Sequence, residues 1–561
     1  MRRGPFPQTA LRPILATVAL ALVLLPTLAS AYECLTLRLP RLAEDYATAK
    51  ARLETAGQWQ RGLDPLLAPP PDPQVGDTWL WYVWNLGGFP VATLKPATVR
   101  GMGDHCYVVV DDDEWNVTMN QADVDRIVQH FDRESIGGFA GQGIWDLNTS
   151  HFGPPPDFDG LERVFLFYYR FNIAADGYFW VFDQFPDGTQ SFASNECDVI
   201  YLATDSGQPA SDYMLAVMAH EFEHLIHFNQ DPNEVAWVDE GLAGLAMWLF
   251  GRPDTIAGFN SQPDNSLLVW NSAWADYIKT YLWSLYIYEQ YGGRETIWDV
   301  VHDPATSMYG YKAALANQGY LTPTEDVFGD WAVANFLDDT TIPDGQYGYE
   351  GDTLPPFSTF ITHSTYPAEF STSVQPHAAD YVRLLNFSGP PHIAFDGANA
   401  RDFRVTLLAR DPILPTIVQP LDLDDAQDGA LTFAAATGYS QVVIAIANVS
   451  LAGTGIYNYR VTEGTTAAGD VPQLAASLSA YPNPFNPRTV FSFTVPQAGE
   501  VVLTVHDVRG REVARLLHGQ REVGRYETAW EADATVPAGV YFGRLTVAGR
   551  ESAVCKVTVV K

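Results

Sequence analysis

Ser211–Phe228 reads SDYMLAVMAHEFEHLIHF, and the chain continues NQDPNEVAWVDEGLAGLAMWLF to Phe250. Met214, Leu215, Met218, Leu225 and Ile226 recur at helical spacing behind a capping Ser211, which predicts a helix from about Ser211 to Phe228. His220 and His224 stand four residues apart, so on a helix both imidazoles project from one face toward one point. Two neutral imidazole nitrogens at that spacing can hold Zn²⁺ at about 2.0–2.1 Å. Glu221 is turned toward the same cleft but not onto the metal. Its carboxylate can take a proton from a metal-activated water and pass it to a leaving amine.

A catalytic zinc needs a third protein ligand and an open position. His227 shares the histidine face, but a rise of 1.5 Å per residue sets it about 10 Å from His220 along the axis. Distance rejects it. A metzincin would carry Gly at 227 and His at 230, where this chain has His227 and Gln230. The acids Glu234, Asp239 and Glu240 remain, the last two on a second helix expected from about Val235 to Phe250. That helix is apolar nearly all round, so periodicity does not separate Asp239 from Glu240. An acidic pair inside it needs compensation, because an unpaired buried carboxylate costs several kcal/mol or more. A metal would compensate it; a plain position near a helix N-terminus is the alternative.

The run from His220 to Ala246, HEFEHLIHFNQDPNEVAWVDEGLAGLA, resembles the zinc site of secreted bacterial gluzincin metallopeptidases. In that group the third ligand is a Glu on the next helix, in a Trp-x-x-Glu-Gly setting. The resemblance implies an α+β zincin-like catalytic domain, with His220, His224 and Glu240 as ligands and Glu221 as catalytic base. Asp239 would then orient a ligand histidine from behind. The strand expected over Asn195–Leu202 precedes the zinc helix, and in zincins an edge strand there pairs with the substrate backbone. A third helix, rich in aromatics, is expected over about Trp274–Tyr291. Its Tyr277-Ile-Lys-Thr-Tyr281-Leu-Trp run resembles the segment that brings a Tyr to the developing oxyanion, which implies Tyr277 as provisional oxyanion donor, ahead of Tyr281. Packing alone is the other reading of a helix carrying Tyr277, Tyr281, Tyr286 and Tyr288.

Outward from this site, the chain has 561 residues and divides into several regions. Arg2, Arg3 and Arg12, the apolar run Ile14–Leu25 and Ala29-Ser-Ala31 form a signal peptide over 1–31, with cleavage near Ala31. An export signal implies a secreted protein without a transmembrane segment in its mature form. Residues 32–75 are an N-terminal extension with helical character over Leu42–Thr55 and a Pro-rich linker, its role as propeptide, brace or spacer left open. An α+β enzyme-like body occupies 76–375. Short alternating strands over 376–470 predict a β-sandwich, and 471–561 a second all-β module. The expected class is therefore multidomain, an α+β catalytic domain followed by two all-β modules.

The charge supports this division. With 33 Lys+Arg against 67 Asp+Glu the net charge is −34, which excludes nucleic acid and polybasic attachment to anionic lipid. Residues 471–561 carry 10 basic and 8 acidic side chains, so the acidity belongs to the body. Cys34, Cys106, Cys197 and Cys555 are not spaced as a metal knuckle; of the three pairings four cysteines allow, Cys106 with Cys197 is preferred because both lie in the body, and free buried thiols are the equal alternative. Tyr32 and Glu33 do not give Cys34 the small neighbours of a lipid-attachment site. Asp111, Asp112 and Asp113 could hold Ca²⁺, with a solvated loop the plainer reading.

The last module carries its own pattern: Tyr481-Pro-Asn-Pro-Phe-Asn-Pro487, Val505-His-Asp-Val-Arg-Gly-Arg511, Ala538-Gly-Val-Tyr-Phe542 and a final strand ending at Lys561. It resembles the immunoglobulin-like C-terminal sorting modules of secreted bacterial proteins and flagellar hook-capping repeats. That implies recognition by an outer-membrane export or anchoring system. Taken together, the expectation is a secreted zinc endopeptidase acting on polypeptide. Two alternatives stand beside it: a catalytically silent zincin-fold adhesin or scaffold, and a zinc exopeptidase with Glu196 as anchor for the substrate amine.

Overall fold

Continuous apolar runs build the central sheet of the computed structural model, which describes residues 34–36, 46–60, 62, 67–87, 91–342, 345–463, 478–481, 483, 485–495, 498–521, 524–532 and 536–560. The expected signal peptide, residues 1–31, lies outside these. The sheet comprises β1 (Thr78–Asn85), β2 (Val91–Met102), β3 (Cys106–Asp111), β4 (Val164–Tyr169), β5 (Gly177–Phe179) and β6 (Val199–Ala203), in the order β1-β2-β3-β4-β6-β5. Strands β3, β4 and β6 are mutually parallel and buried along their whole length, the habit of strands covered on both faces. The edge strand β5 runs antiparallel to β6.

Nine helices accompany it among the described residues: α1 (Tyr46–Thr55), α2 (Gln121–Asp132), α3 (Ile144–Phe152), α4 (Asp212–Gln230), α5 (Ala236–Phe250), α6 (Trp274–Gln290), α7 (Arg294–His302), α8 (Met308–Asn317) and α9 (Thr324–Leu337). One sheet face packs on α2 and α4, with α3 and α5 against α4, through a core that includes Val108, Leu166, Ile200, Met218 and Phe222. The other carries an aromatic layer in which Trp81 meets Phe165 and Phe167, and Tyr178 stacks on Tyr201. Helix α4 begins where the Ser211 hydroxyl accepts the Met214 N–H at 3.3 Å, a cap of about 1 kcal/mol. Every residue from Met214 to His227 is buried, so the helix runs through the interior, against β5, β6 and α5.

Two expectations are corrected here. Asn195–Leu202 is not the sheet edge: β6 is hydrogen-bonded on both sides, and the edge is β5, whose three residues give no periodic signal. Cys106 and Cys197 do not pair, because Cys106 points into the helix-side core and Cys197 into the aromatic layer on the opposite face. All four cysteines are free thiols.

Nine strands from Ile361–His363 to Gly455–Glu463 form two sheets of four and five, so this β-region begins near residue 361 and not at 376. It rests on α9, where Tyr381 donates to the Ala332 carbonyl at 2.6 Å and Arg404 pairs with Asp326 at 2.5 Å. A last all-β region between Leu478 and Val559 forms sheets of three and four strands around Phe491, Leu503, Trp530 and Leu545. Among the described residues no helix is long and apolar enough to cross a membrane.

Candidate metal centre

Helix α4 brings His220 and His224 together: their Nε2 atoms lie 3.0 Å apart, both side chains buried. Helix α5 crosses beside them and carries Glu240, whose Oε2 stands 3.3 Å from His220 Nε2. The crossing of α5 and α6 is close because Gly241 lacks a Cβ, which would stand 2.7 Å from the Thr280 carbonyl oxygen. Neither carboxylate oxygen of Glu240 has a hydrogen-bond partner among the described residues, although the side chain is buried. Such a group carries a heavy desolvation cost unless a cation meets it.

A fourth donor comes from far away in the chain. The Cys34 sulfur lies 3.5 Å from His224 Nε2, and one donor atom each from Cys34, His220, His224 and Glu240 lie within 4.8 Å of one another. A tetrahedral ion with usual zinc bond lengths separates nitrogen ligands by roughly 3.3 Å, and sulfur from nitrogen by roughly 3.5 Å. The observed spacings of 3.0, 3.3 and 3.5 Å fit such an ion. The donor set can hold a metal as it stands.

The surroundings orient these groups. His224 turns its other nitrogen to Asp239, with Nδ1 3.0 Å from Oδ1, leaving Nε2 for the cluster. The same oxygen lies 3.3 Å from Nδ1 of His227, which is also 3.3 Å from Glu223 Oε1. Thus His227, rejected as a ligand by distance, belongs to an acidic group behind the site. Burial alone would raise the Asp239 carboxyl, but the two histidines hold it far below the usual carboxylate range. Burial, and then the neighbouring His224, push the His220 imidazole down; burial pushes the Glu240 carboxyl up. A divalent ion reverses the sign for the acid, since it favours ionised ligands.

Glu221 is fully buried one residue along α4, and its Oε2 accepts the Thr36 hydroxyl at 2.9 Å and stands 3.8 Å from the Cys34 sulfur. Strand β5 approaches it so closely that a Cβ on Gly177 would lie 2.8 Å from Glu221 Cγ. Tyr277, on α6, points its hydroxyl to the Cys34 carbonyl oxygen at 3.3 Å, whereas Tyr281 is committed to Asp352 at 3.0 Å. Beside His220 and Glu240 a cavity of about 20 Å³ is lined by Met247, Trp274, Tyr277 and Ile278.

The remaining sequence candidates fall elsewhere. Glu196 accepts backbone N–H groups of Gly62 at 3.0 Å and Asp187 at 2.7 Å, so its carboxylate is engaged by the chain itself. Asp111 and Asp113 pair with Lys95 at 2.5 and 3.2 Å, and Asp112 with Arg100 at 2.7 Å, so each acid considered for Ca²⁺ already has a cationic partner. Sequence reasoning missed Cys34, Thr36 and Gly177. Nothing in their local pattern carries the signal, because their partners at the site lie far off in the chain, on helices α4 and α6.

No family model matches the chain, and none of the curated proteins does. Among solved structures, latent PorU from Porphyromonas gingivalis is similar at 15% identity over 31% of this chain and 18% of that one, with a TM-score of 0.17. The Endo-D glycoside hydrolase domain from Streptococcus pneumoniae follows at 10% identity, 34% and 32% coverage and a TM-score of 0.13. A β-glucuronidase from Faecalibacterium prausnitzii matches at 9% identity, 34% and 36% coverage and a TM-score of 0.14. The matches span between about a fifth and about a third of those chains, and likenesses of this extent assign neither fold nor activity.

Proposed function

We propose that this protein is a zinc-dependent endopeptidase of gluzincin type, on a zincin-like domain, with His220, His224 and Glu240 as metal ligands. The observation that carries the reading is the convergence of two Nε2 atoms and an otherwise unsatisfied buried carboxylate, with a second carboxylate, Glu221, alongside. When bound, zinc supplies Lewis acidity, polarising a peptide carbonyl and easing deprotonation of the attacking water.

The chain's own groups do the rest. Glu221 receives the proton of the attacking water and delivers it to the departing amine. Tyr277 donates to the oxyanion that forms on the carbonyl. Asp239 fixes the His224 tautomer, so that Nδ1 carries the proton and Nε2 stays a lone-pair donor. The outer edge of β5, bordered in this structure by residues 34–36, would offer N–H and C=O groups to an extended polypeptide once that segment is displaced, which favours internal cleavage. The signal-like leader and the C-terminal pattern add the proposal that the enzyme is secreted, and sorted or anchored through an immunoglobulin-like module by an outer-membrane system.

The test is hydrolysis of an unfolded, carboxymethylated polypeptide by the zinc-loaded Cys34→Ala chain, beside Cys34→Ala/Glu221→Ala. Cys34 is replaced because its thiol stands among the metal donors. Internal fragments from the first and none from the second, at equal zinc content, are expected. Release of terminal residues alone would make it an exopeptidase. Inactivity of both, with zinc held and residues 34–36 cut away, would remove the peptidase reading and favour an adhesin or scaffold.

A further inference from the structure

Three consecutive residues of the N-terminal extension reach the metal centre, and each engages a different part of it. The Cys34 sulfur completes the four-donor cluster, 3.5 Å from His224 Nε2. The Cys34 carbonyl accepts the Tyr277 hydroxyl at 3.3 Å. The Leu35 N–H donates to the Gly177 carbonyl at 3.2 Å. The Thr36 hydroxyl donates to Glu221 at 2.9 Å and accepts the Phe179 N–H at 2.8 Å. Residues 34–36 thus lie along the outer edge of β5, joined to it by a parallel bridge between Cys34 and Gly177.

We infer that Cys34 is the fourth ligand of the metal held by His220, His224 and Glu240, and that residues 34–36 thereby keep the enzyme latent until the segment is withdrawn or cut away. The inference rests on the metallopeptidase reading above and adds its regulation. A cysteine buried for packing would seek apolar neighbours. This one, 1% exposed, faces two imidazoles and two carboxylates. Its distance from His224 is that of a sulfur and a nitrogen sharing a tetrahedral ion.

The consequence is chemical and steric together. Two His, one Glu and one Cys make a closed set, the arrangement of structural zinc sites, with no position open to an attacking water. Thr36 occupies the base, the Cys34 carbonyl occupies the oxyanion donor, and the segment takes the sheet edge that a substrate backbone needs. The 20 Å³ cavity left beside His220 and Glu240 has room for about one water and none for a peptide. On coordination the thiol gives its proton to solvent, and on release it takes one back; nothing is oxidised or reduced.

The test uses the full chain with Co²⁺ as the metal probe. Expected is a sulfur-to-cobalt charge-transfer band in the near ultraviolet for the wild type, lost in Cys34→Ala and in Cys34→Ser at equal cobalt content. A cobalt-loaded wild type without that band overturns the ligand assignment, whatever the enzyme's activity. Should both variants misfold, the wild-type spectrum still decides. Latency is read separately, as hydrolysis of the unfolded polypeptide by zinc-loaded wild type and Cys34→Ala. The variant is expected to be at least about tenfold faster, since a tethered blocker acts at an effective concentration near millimolar. Equal, measurable rates overturn latency and leave the peptidase reading intact. A band without activity in either protein, the inactivity persisting after residues 34–36 are cut away by limited proteolysis, keeps Cys34 as ligand, removes the latency claim and sinks the peptidase reading instead.

Discussion

Asp239 Oδ1 lies 3.0 Å from His224 Nδ1, so a carboxylate on one helix can set the tautomer of an imidazole of the candidate metal cluster on another. The pair links α4 to α5 at the point where the ligand set is assembled. Asp239→Asn keeps the shape but loses the charge that holds the Nδ1 proton in place. Zinc affinity should fall about 10- to 100-fold, with little change in the far-ultraviolet circular dichroism of the metal-loaded protein. Titration against a competing chelator measures it. An affinity unchanged from wild type would mean that Asp239 serves packing or the neighbouring His227 instead.

Gly177 and Glu221 make the second prediction. A methyl group at 177 has to share space with a buried side chain, with 2.8 Å to Glu221 Cγ and 3.0 Å to Oε1. The zinc ligands are not in that contact. Gly177→Ala is therefore expected to hold zinc normally and to lose about 10²-fold in kcat when measured in the Cys34→Ala background, the scale of a catalytic group misplaced by about an ångström. Zinc lost along with activity would point to collapse of the whole edge.

How much of this was legible in the sequence depends on how local each signal is. Helix α4 and its two histidines were readable because the Ser211 cap and the apolar spacing lie within a few turns. The choice of Glu240 over Asp239 was not, since α5 is buried nearly all round and offers no polar face; a resemblance, not periodicity, singled it out. Strand β2 escaped because Lys95, Pro96 and Gly101 interrupt its pattern, although it sits inside the sheet between β1 and β3. Strand β5 is too short to show a period. Cys34 meets Glu221, His224 and Tyr277 across 187, 190 and 243 residues of chain, a contact that only the assembled fold creates.

Tyr277 supplies the third prediction. Its hydroxyl donates to the carbonyl oxygen of Cys34, a peptide group beside the candidate metal cluster. If the phenol stabilises the oxyanion, Tyr277→Phe in the Cys34→Ala background lowers kcat by about 10²–10³ and leaves KM nearly unchanged. A rise in KM at constant kcat would instead assign Tyr277 to ground-state binding. No effect on either would make it a packing residue of the Trp270–Trp274 cluster.

The last prediction concerns the β-region that rests on α9. Asp380 is buried there and accepts the Tyr457 hydroxyl at 2.7 Å. Burial, reinforced by the charge of Asp264, pushes its carboxyl up to about 7 in spite of that hydrogen bond. In an unfolded chain an aspartate titrates near about 3.9. Between these values the folded protein keeps a proton that the unfolded chain has released. The unfolded state then binds fewer protons, so stability falls as pH rises from about 4 through about 7, and is fully present only below that window. Asp380→Asn keeps an acceptor for Tyr457 but carries no titrating proton. Compared in urea unfolding of the same β-region, wild type should lose stability relative to the variant across that window, by up to about 4 kcal/mol. Carboxylates that do not interact with Asp380 cancel in the difference between the two proteins, while Asp264, which does, contributes to it. A difference that stays flat from pH 4 to pH 8, within about 0.5 kcal/mol, would mean that Asp380 is ionised in the folded protein throughout and that Tyr457 already compensates its charge.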